Sequence, residues 1–199
     1  MVYTALFGKY DVVKPIKKEY GYDYIMFTDQ NFSNTTTDWT IIKIEKTLNY
    51  TKKFEIIKAQ RYYKTHPHIF FKDYDLSIYI DGTFSIKGNL DEFLLRILTK
   101  NISIYTLEHP ERTSIDNEFG AVLSENCLIV RKHNDLKCIN FMNQWFYEIK
   151  HYSYRDQLSF NYILWKTNQN IVKYISKNYI FKYFEQNPLH LIFFIVPNI

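Results

Sequence analysis

Asp81 is an acidic residue placed where a carboxylate can do chemistry. It directly follows the apolar run 76–80 and is itself followed by Gly82 and Thr83. A carboxylate in this place can ligate a divalent cation, because Mg²⁺ and Mn²⁺ prefer oxygen ligands and take some of them from a substrate's phosphates. The sequence therefore indicates a metal site at Asp81. The alternative is an Asp-Gly turn that closes a β-hairpin.

A second carboxylate, Asp156, opens a helical stretch together with Gln157. Ser153 precedes the pair and is expected to cap the helix Tyr154 to Lys166 at its N-terminus. Asp156 can act as a base or hold an acceptor hydroxyl, with Gln157 as its neutral hydrogen-bonding partner. The attraction of a helix dipole for a carboxylate explains the same residue without any function.

Gly8 lies among aromatic and acidic residues after the first apolar segment. Its neighbours Phe7, Tyr10 and Asp11 can cradle a base and a phosphate, since glycine admits a close backbone and the rings offer stacking faces. An ordinary turn explains this stretch equally well.

Two more residues can contact a nucleotide. Asp29, after the second apolar segment, can bind a ribose or a base, although it stands in ordinary loop composition. Arg61, on a predicted helix, can hold a phosphate with two hydrogen bonds. Its alternative role is to solvate an exposed helix face.

His66 and His68 flank Pro67, with Asp73 and Asp75 nearby. These residues include the ligand types of a metal site, but their spacing matches no closed one. A rigid connection after a helix is the favoured interpretation. A core role is also favoured over sugar stacking for Trp145-Phe146-Tyr147 and for Tyr162 with Trp165.

These residues depend on strands and helices that alternate along the chain. The alternation predicts an α/β protein with a mainly parallel sheet, whose ligands bind beyond the carboxyl ends of its strands. Asn89 and Glu92 form a predicted capping box. Strands are predicted at Val2–Phe7, Asp23–Thr28, Trp39–Ile44, Leu76–Ile80, Ile102–Tyr105 and Cys127–Val130, and helices at Thr51–Thr65, Leu90–Lys100, Cys138–Lys150 and Tyr154–Lys166.

Length and composition predict one domain over residues 1–199. The net charge of +4 comes from scattered lysines, so nucleic-acid binding is not expected. Cys127 and Cys138 lack metal-ligand spacing and are expected to be reduced core residues. The short apolar ends predict neither a signal peptide nor a membrane anchor, which makes the cytoplasm the default location.

Five blocks of the sequence occur in the order of one known family. They are Tyr3–Asp11, Phe27–Asp29, Lys64–Gly88, His109–Arg112 and Tyr152–Lys166. They resemble the plant and bacterial glycosyltransferase-like family named for a turgor-regulation protein and a mucilage protein, the TOD/MUCI-type family. The resemblance implies a GT-A-like (Rossmann-like) fold and transfer of a sugar from a nucleotide-sugar donor to an unknown acceptor. Uridine diphosphate sugars are the commoner donors for this fold.

The resemblance also implies roles for individual residues. Asp81 would bind Mn²⁺ or Mg²⁺, Asn126 or Glu125 would face the donor sugar, and Asp156 with Gln157 would face sugar or acceptor.

Two departures from the family pattern leave other functions open. Thr83 stands where many such enzymes have a second carboxylate, and only 113–124 join the fourth block to the strand near Glu125. A non-catalytic sugar or nucleotide binder is one alternative. A hydrolase of lipid amides is the other, with a metal-activated water held by Asp81, His66, His68 and His109.

Overall fold

The structure of the protein is a computed structural model that describes residues 1–8, 14, 16–32, 38–45, 53–109 and 123–186. Its strands are β1 Val2–Leu6, β2 Tyr24–Thr28, β3 Thr40–Lys43, β4 Ser77–Ile80, β5 Phe84–Ile86, β6 Ile104–Glu108, β7 Ser124–Arg131, β8 Val172–Ile175 and β9 Phe184–Gln186. Its helices are α1 Lys53–Thr65, α2 Pro67–Phe70, α3 Leu90–Ile97, α4 Leu136–His151, α5 Asp156–Thr167 and α6 Lys177–Ile180.

In the described part of the chain, the main sheet has seven strands in the order β3-β2-β1-β4-β7-β6-β8. Among these seven described strands, β7 alone runs antiparallel to its neighbours, β4 and β6, and the other neighbouring pairs are parallel. Every residue of β1 and β4 is buried, as expected for strands covered on both faces. The predicted α/β class with a mainly parallel sheet is confirmed. The prediction of one domain over residues 1–199 stays a prediction.

The two faces of the sheet carry separate cores. One core packs α3 and the small β5–β9 sheet against residues such as Val2, Ile78 and Val130. The other packs α4 and α5 against Tyr3 and Tyr79. This second core holds α1, α4 and α5 side by side near the carboxyl ends of β1 and β4.

The aromatic residues of α4 and α5 divide between core and surface. Trp145 is fully buried against Phe160, with ring centroids 4.9 Å apart, so its predicted core role is confirmed. Tyr147, Tyr162 and Trp165 are 52%, 41% and 55% exposed, and for them the core interpretation is wrong. They lie on helix faces that turn away from the sheet. Helical spacing alone does not say which face is covered.

Of the two N-caps predicted from the sequence, one is confirmed and the other is wrong. The Asn89 side chain accepts a hydrogen bond from the Glu92 backbone N–H at 2.7 Å, which confirms the cap of α3. The reciprocal half of the box is missing, because the Glu92 side chain pairs with Arg96 instead. The predicted Ser153 cap is wrong: α5 begins at Asp156, and the Ser153 hydroxyl accepts from the Arg155 backbone N–H at 3.2 Å, before the helix.

Short elements near the end of the chain were not predicted. Strand β8 extends the main sheet beside β6, and β9 pairs with β5. Both cysteines are free and buried, as predicted. Within the described ranges, no helix has the length and apolar character that a membrane crossing requires.

Gly88 lies where β5 leaves the small sheet, and it has no room for a side chain. A Cβ at this position would lie 2.7 Å from Tyr183 Cα and 2.9 Å from the Lys182 carbonyl oxygen. Because both are backbone atoms, we expect Gly88→Ala to lower the free energy of unfolding by about 1–3 kcal/mol. Urea denaturation measures this, with the exposed neighbour Lys87→Ala as the matched control. Equal stabilities of the two variants would contradict the close approach.

Candidate functional site

Polar residues converge where the parallel strands end. Asp29 and Asp81 follow β2 and β4, and the Asp29 carboxylate accepts a hydrogen bond from the Gly8 backbone N–H after β1 at 2.9 Å. Strand β7 begins at the same edge because it is antiparallel, and the Asp81 N–H donates to the Cys127 carbonyl at 2.8 Å. The fold thus brings the first, second and fourth strand ends together with Asn126.

Four charged side chains form the centre of this edge. The Lys64 ammonium lies 2.7 Å from Asp156 Oδ2 and 3.7 Å from Asp81 Oδ1. Arg61 Nε lies 3.3 Å from the same Asp156 oxygen. The side chain of Lys64 is 1% exposed, and that of Asp81 is 31% exposed. The two carboxylates singled out from the sequence therefore share one buried ammonium, and Asp81 is the member that solvent reaches. We name Arg61, Lys64, Asp81 and Asp156 the charged cluster.

Neutral side chains extend the charged cluster into the sheet. The Gln60 side-chain amide donates to the Tyr79 hydroxyl at 2.7 Å, and that hydroxyl donates to Asp81 Oδ1 at 2.7 Å. Arg61 Nη1 donates to Gln60 Oε1 at 2.7 Å. Burial and the nearby Asp81 charge raise the pKa of Tyr79 well above its ordinary value, so its proton stays in place to orient Asp81.

The charges around Asp156 decide its protonation. Burial alone would raise the pKa of this carboxyl, but Arg61 and Lys64 outweigh burial and hold the pKa below its ordinary value. Asp156 is thus a stable anion and a weak proton acceptor. This geometry suits an anchoring carboxylate better than the general base that the sequence allowed. Arg61, with a side chain 20% exposed, does not solvate an open helix face as the alternative required.

Asn126 and Glu125, which only the family resemblance indicated, have different surroundings. Asn126 is 2% exposed, accepts from the Thr106 hydroxyl at 3.1 Å and reaches the Asp156 carbonyl at 3.5 Å. Asn126 therefore links β6, β7 and the start of α5. Glu125 forms an ion pair with Lys177 at 3.1 Å. Gln157 is half-buried beside Asp156.

The predicted turn at Asp81 is present, but it does not close a hairpin between β4 and β5. The Phe84 N–H donates to the Asp81 carbonyl at 2.9 Å, so Gly82 and Thr83 occupy a tight turn. The hairpin interpretation is wrong, because β5 pairs with β9 and not with β4.

A small hollow opens beside this turn. Its enclosed space is about 10 Å³, room for about one water molecule, and its lining includes Thr4, Lys14, Trp39 and Asp81. The Thr4 hydroxyl is buried and has no hydrogen-bond partner among the described residues. The space is smaller than a typical site for a drug-sized ligand, which has roughly 300–1,000 Å³. It has room for no more than a small group of a ligand, of about the size of a water molecule.

The glycine loop after β1 is described only at its beginning. Gly8 has φ +71°, a conformation that glycine adopts without strain. Phe7 is buried and stacks on Tyr63 with ring centroids 5.2 Å apart, so its ring packs in the core. Tyr10 and Asp11 lie outside the described residues, as do 113–122 of the short joining segment.

The surroundings of Asp81 do not fit the predicted divalent cation. Asp81 is a single carboxylate whose Oδ1 already accepts from Tyr79 and lies near the Lys64 ammonium. Over the described ranges, no three His, Cys, Asp or Glu side chains gather as a metal site would need. The His66 and His68 rings lie 5.4 Å apart beside Phe146, and His66 Nδ1 lies 2.8 Å from the Tyr62 carbonyl. The hydrolase alternative gains no support.

Sequence inspection missed Gln60, Lys64 and Tyr79. Gln60 and Lys64 are four residues apart, so they lie on one face of α1. Polar residues repeated on a helix face that packs against strands are a usable signal for a buried polar network.

Known proteins resemble the chain in both sequence and fold. Residues 95–191 match the model of the family described as TOD1/MUCI70, glycosyltransferase-like domain. Among curated proteins, none matches the chain in sequence. The apo structure of the bifunctional glycosyltransferase WbbM aligns with a TM-score of 0.53 and 11% identity, over 87% of this chain and 38% of that one. The glycosyltransferase GlyE of Streptococcus pneumoniae TIGR4 aligns with a TM-score of 0.54 and 10% identity, over 90% and 46%.

Each of these matches covers only part of one of the two chains compared. The chain spans 38% and 46% of the two solved chains, and at 11% and 10% identity the likeness concerns the fold. The family match covers just under half of the chain. Together they confirm the family resemblance and the glycosyltransferase fold predicted from the sequence. Over residues 95–191 the chain is thus similar to the TOD1/MUCI70 glycosyltransferase-like domain, and its fold is similar to that of solved glycosyltransferases.

Proposed function

We propose that this protein transfers a sugar from a nucleotide-sugar donor, with the donor bound at the carboxyl ends of β1, β2 and β4. The observation that supports this most is the convergence of Asp81 and Asp156 on one ammonium at that edge of a glycosyltransferase fold. In open α/β sheets, ligands bind outside the carboxyl ends of the strands.

The donor's nucleotide would lie beyond β1 and β2. Gly8 and Asp29 are joined there by a hydrogen bond of 2.9 Å, and the hollow lined by Thr4 and Trp39 adjoins Asp81. An aromatic ring and an unpaired hydroxyl are suitable partners for a base and a ribose. Asp81, the most exposed member of the charged cluster, would bind a donor hydroxyl.

The reacting groups would lie between Asp81 and Asp156. Asp156 is held ionised, so it would fix a sugar or acceptor hydroxyl by accepting a hydrogen bond, with Gln157 beside it. Arg61 would add positive charge near the departing diphosphate. Catalysis would then depend on positioning and on fixed charges rather than on proton removal by Asp156. Experiment has to identify the base and the sugar of the donor, and the acceptor. Uridine diphosphate sugars are the first donors to test.

Asp81→Asn is the variant that tests the donor site. We expect uridine or guanosine diphosphate sugars to bind the unchanged protein, and Asp81→Asn to weaken that binding at least about tenfold, since an ionised acceptor of hydrogen bonds is lost. Calorimetric titration measures both affinities. Asp75→Asn, the same change at an exposed aspartate before β4, is the matched control.

Three outcomes are informative, two from this titration and one from an assay of nucleoside diphosphate release. Binding that Asp81→Asn leaves unchanged would move the donor away from β4. Absence of binding by any nucleotide sugar would refute the proposed function. Binding without release of nucleoside diphosphate, in the presence of candidate acceptors, would favour the non-catalytic binder instead.

A further inference from the structure

The Lys64 ammonium lies between Asp156 and Asp81, the carboxylate for which the sequence predicts a metal ion. The ammonium lies within 3.7 Å of Asp81 Oδ1 and within 2.7 Å of Asp156 Oδ2. It also lies 4.9 Å from the centroid of the Tyr79 ring. The side chain is 1% exposed, so the ammonium is fixed in the protein interior rather than shared with solvent.

The backbone of Lys64 is held as firmly as its side chain. Its carbonyl accepts from the Tyr3 hydroxyl and from Arg131 Nη1, both at 2.8 Å. These contacts connect the end of α1 to β1 and β7. The backbone from which the Lys64 side chain extends is therefore held against the sheet.

The charges of the cluster already balance without a metal. Arg61 and Lys64 supply two positive charges, and Asp81 and Asp156 supply two negative ones. A dication bound to Asp81 would have to approach a fixed ammonium at close range, where repulsion between like charges is strong. The residue two positions after Asp81 is Thr83, so this turn supplies no second carboxylate to offset that repulsion.

We propose that Lys64 is the permanent cation of this site and that the protein binds its donor without a divalent metal. The part that concerns the donor rests on the proposed function. The part that concerns Lys64 does not, because it describes the affinity of the chain itself for a metal ion. Removing the ammonium would leave Asp81 and Asp156 facing one vacated position, which is the beginning of a Mn²⁺ site.

Electron paramagnetic resonance of free Mn²⁺ tests the metal statement directly. We expect the unchanged protein to bind no more Mn²⁺ than Asp81→Asn does, with or without uridine diphosphate. We expect Lys64→Ser to bind Mn²⁺ at least about tenfold more tightly than the unchanged protein, and the double variant Lys64→Ser/Asp81→Asn to lose that gain. Mn²⁺ bound by the unchanged protein and lost in Asp81→Asn would overturn the proposal. A folded Lys64→Ser without the gain would overturn it too.

A second measurement needs no change at Lys64, in case that variant does not fold. Titration of the unchanged protein with uridine and guanosine diphosphate sugars is carried out in EDTA and again in Mn²⁺. We expect the two affinities to agree within about twofold, and affinity that is at least about tenfold weaker in EDTA would overturn metal independence. If nothing binds under either condition, the proposed function fails, whereas the Mn²⁺ resonance still decides the role of Lys64.

Discussion

Replacing Asp156 with alanine is expected to lower the free energy of unfolding by about 3–5 kcal/mol, the usual cost of removing one partner of a buried ion pair. The change leaves Lys64, which is 1% exposed, without its carboxylate at 2.7 Å. Arg61 loses its partner at 3.3 Å as well. Urea denaturation at pH 7 measures the loss. The exposed Asp75→Ala is the control and should change stability by less than about 0.5 kcal/mol.

A double variant separates the loss of the ion pair from the cost of leaving one charge buried and unpaired. Asp156→Leu with Lys64→Met removes both charges and should recover much of the stability, because replacing a whole buried ion pair by apolar residues is often neutral. A fall of less than about 1 kcal/mol in Asp156→Ala would show that Lys64 is hydrated and not buried as the structure has it.

The strand ends could be predicted from the sequence because apolar runs stop there abruptly. The runs ending at Thr28 and Ile80 are each followed by an aspartate, and parallel strands place such residues at one edge. Asp81 and Asp29 were found in this way. Their proximity to Asp156 could be expected only with the help of the family resemblance. No local sequence pattern connects Asp81 with a residue 75 positions further along the chain.

The role of Lys64 could not be predicted, because a lysine in the last turn of a helix is ordinarily explained by the helix dipole and by solvent. It becomes a buried residue only when α4 and α5 pack beside α1, which is a tertiary effect. The exposure of Tyr162 and Trp165 is the converse case, since their spacing is that of a core face. The strands β8 and β9 are four and three residues long, too short to stand out as periodic segments.

Three histidines lie near the buried Arg131: His66 and His133 are buried, and His68 is partly exposed. Arg131 is fully buried and donates to the Lys64 carbonyl at 2.8 Å and to the Tyr3 hydroxyl. His133 Nε2 lies 2.8 Å from the Phe71 carbonyl. Burial first, and then the charge of Arg131 among other neighbours, lowers the pKa of His66 and His133. Burial, the neighbouring His66 and Arg131 lower the pKa of His68 to about 4.

Acidification is therefore expected to destabilise the protein well before its carboxylates titrate. A histidine whose pKa is lower in the folded state stabilises fully above its unfolded pKa, near 6.5, and that contribution is lost as the pH falls toward the folded value. For His68 the loss by pH 5 is at most about 2 kcal/mol, and less to the extent that water screens its partly exposed ring.

Urea denaturation at pH 7, 6 and 5 measures how the free energy of unfolding changes with pH. His68→Phe should reduce this change, and the exposed His151→Gln should not. A stability that stays constant from pH 7 to 5 would mean that folding does not lower the pKa of these histidines. Asp156 contributes in a separate window below about pH 4, because its pKa is held under the ordinary value, so its stabilisation is lost only there.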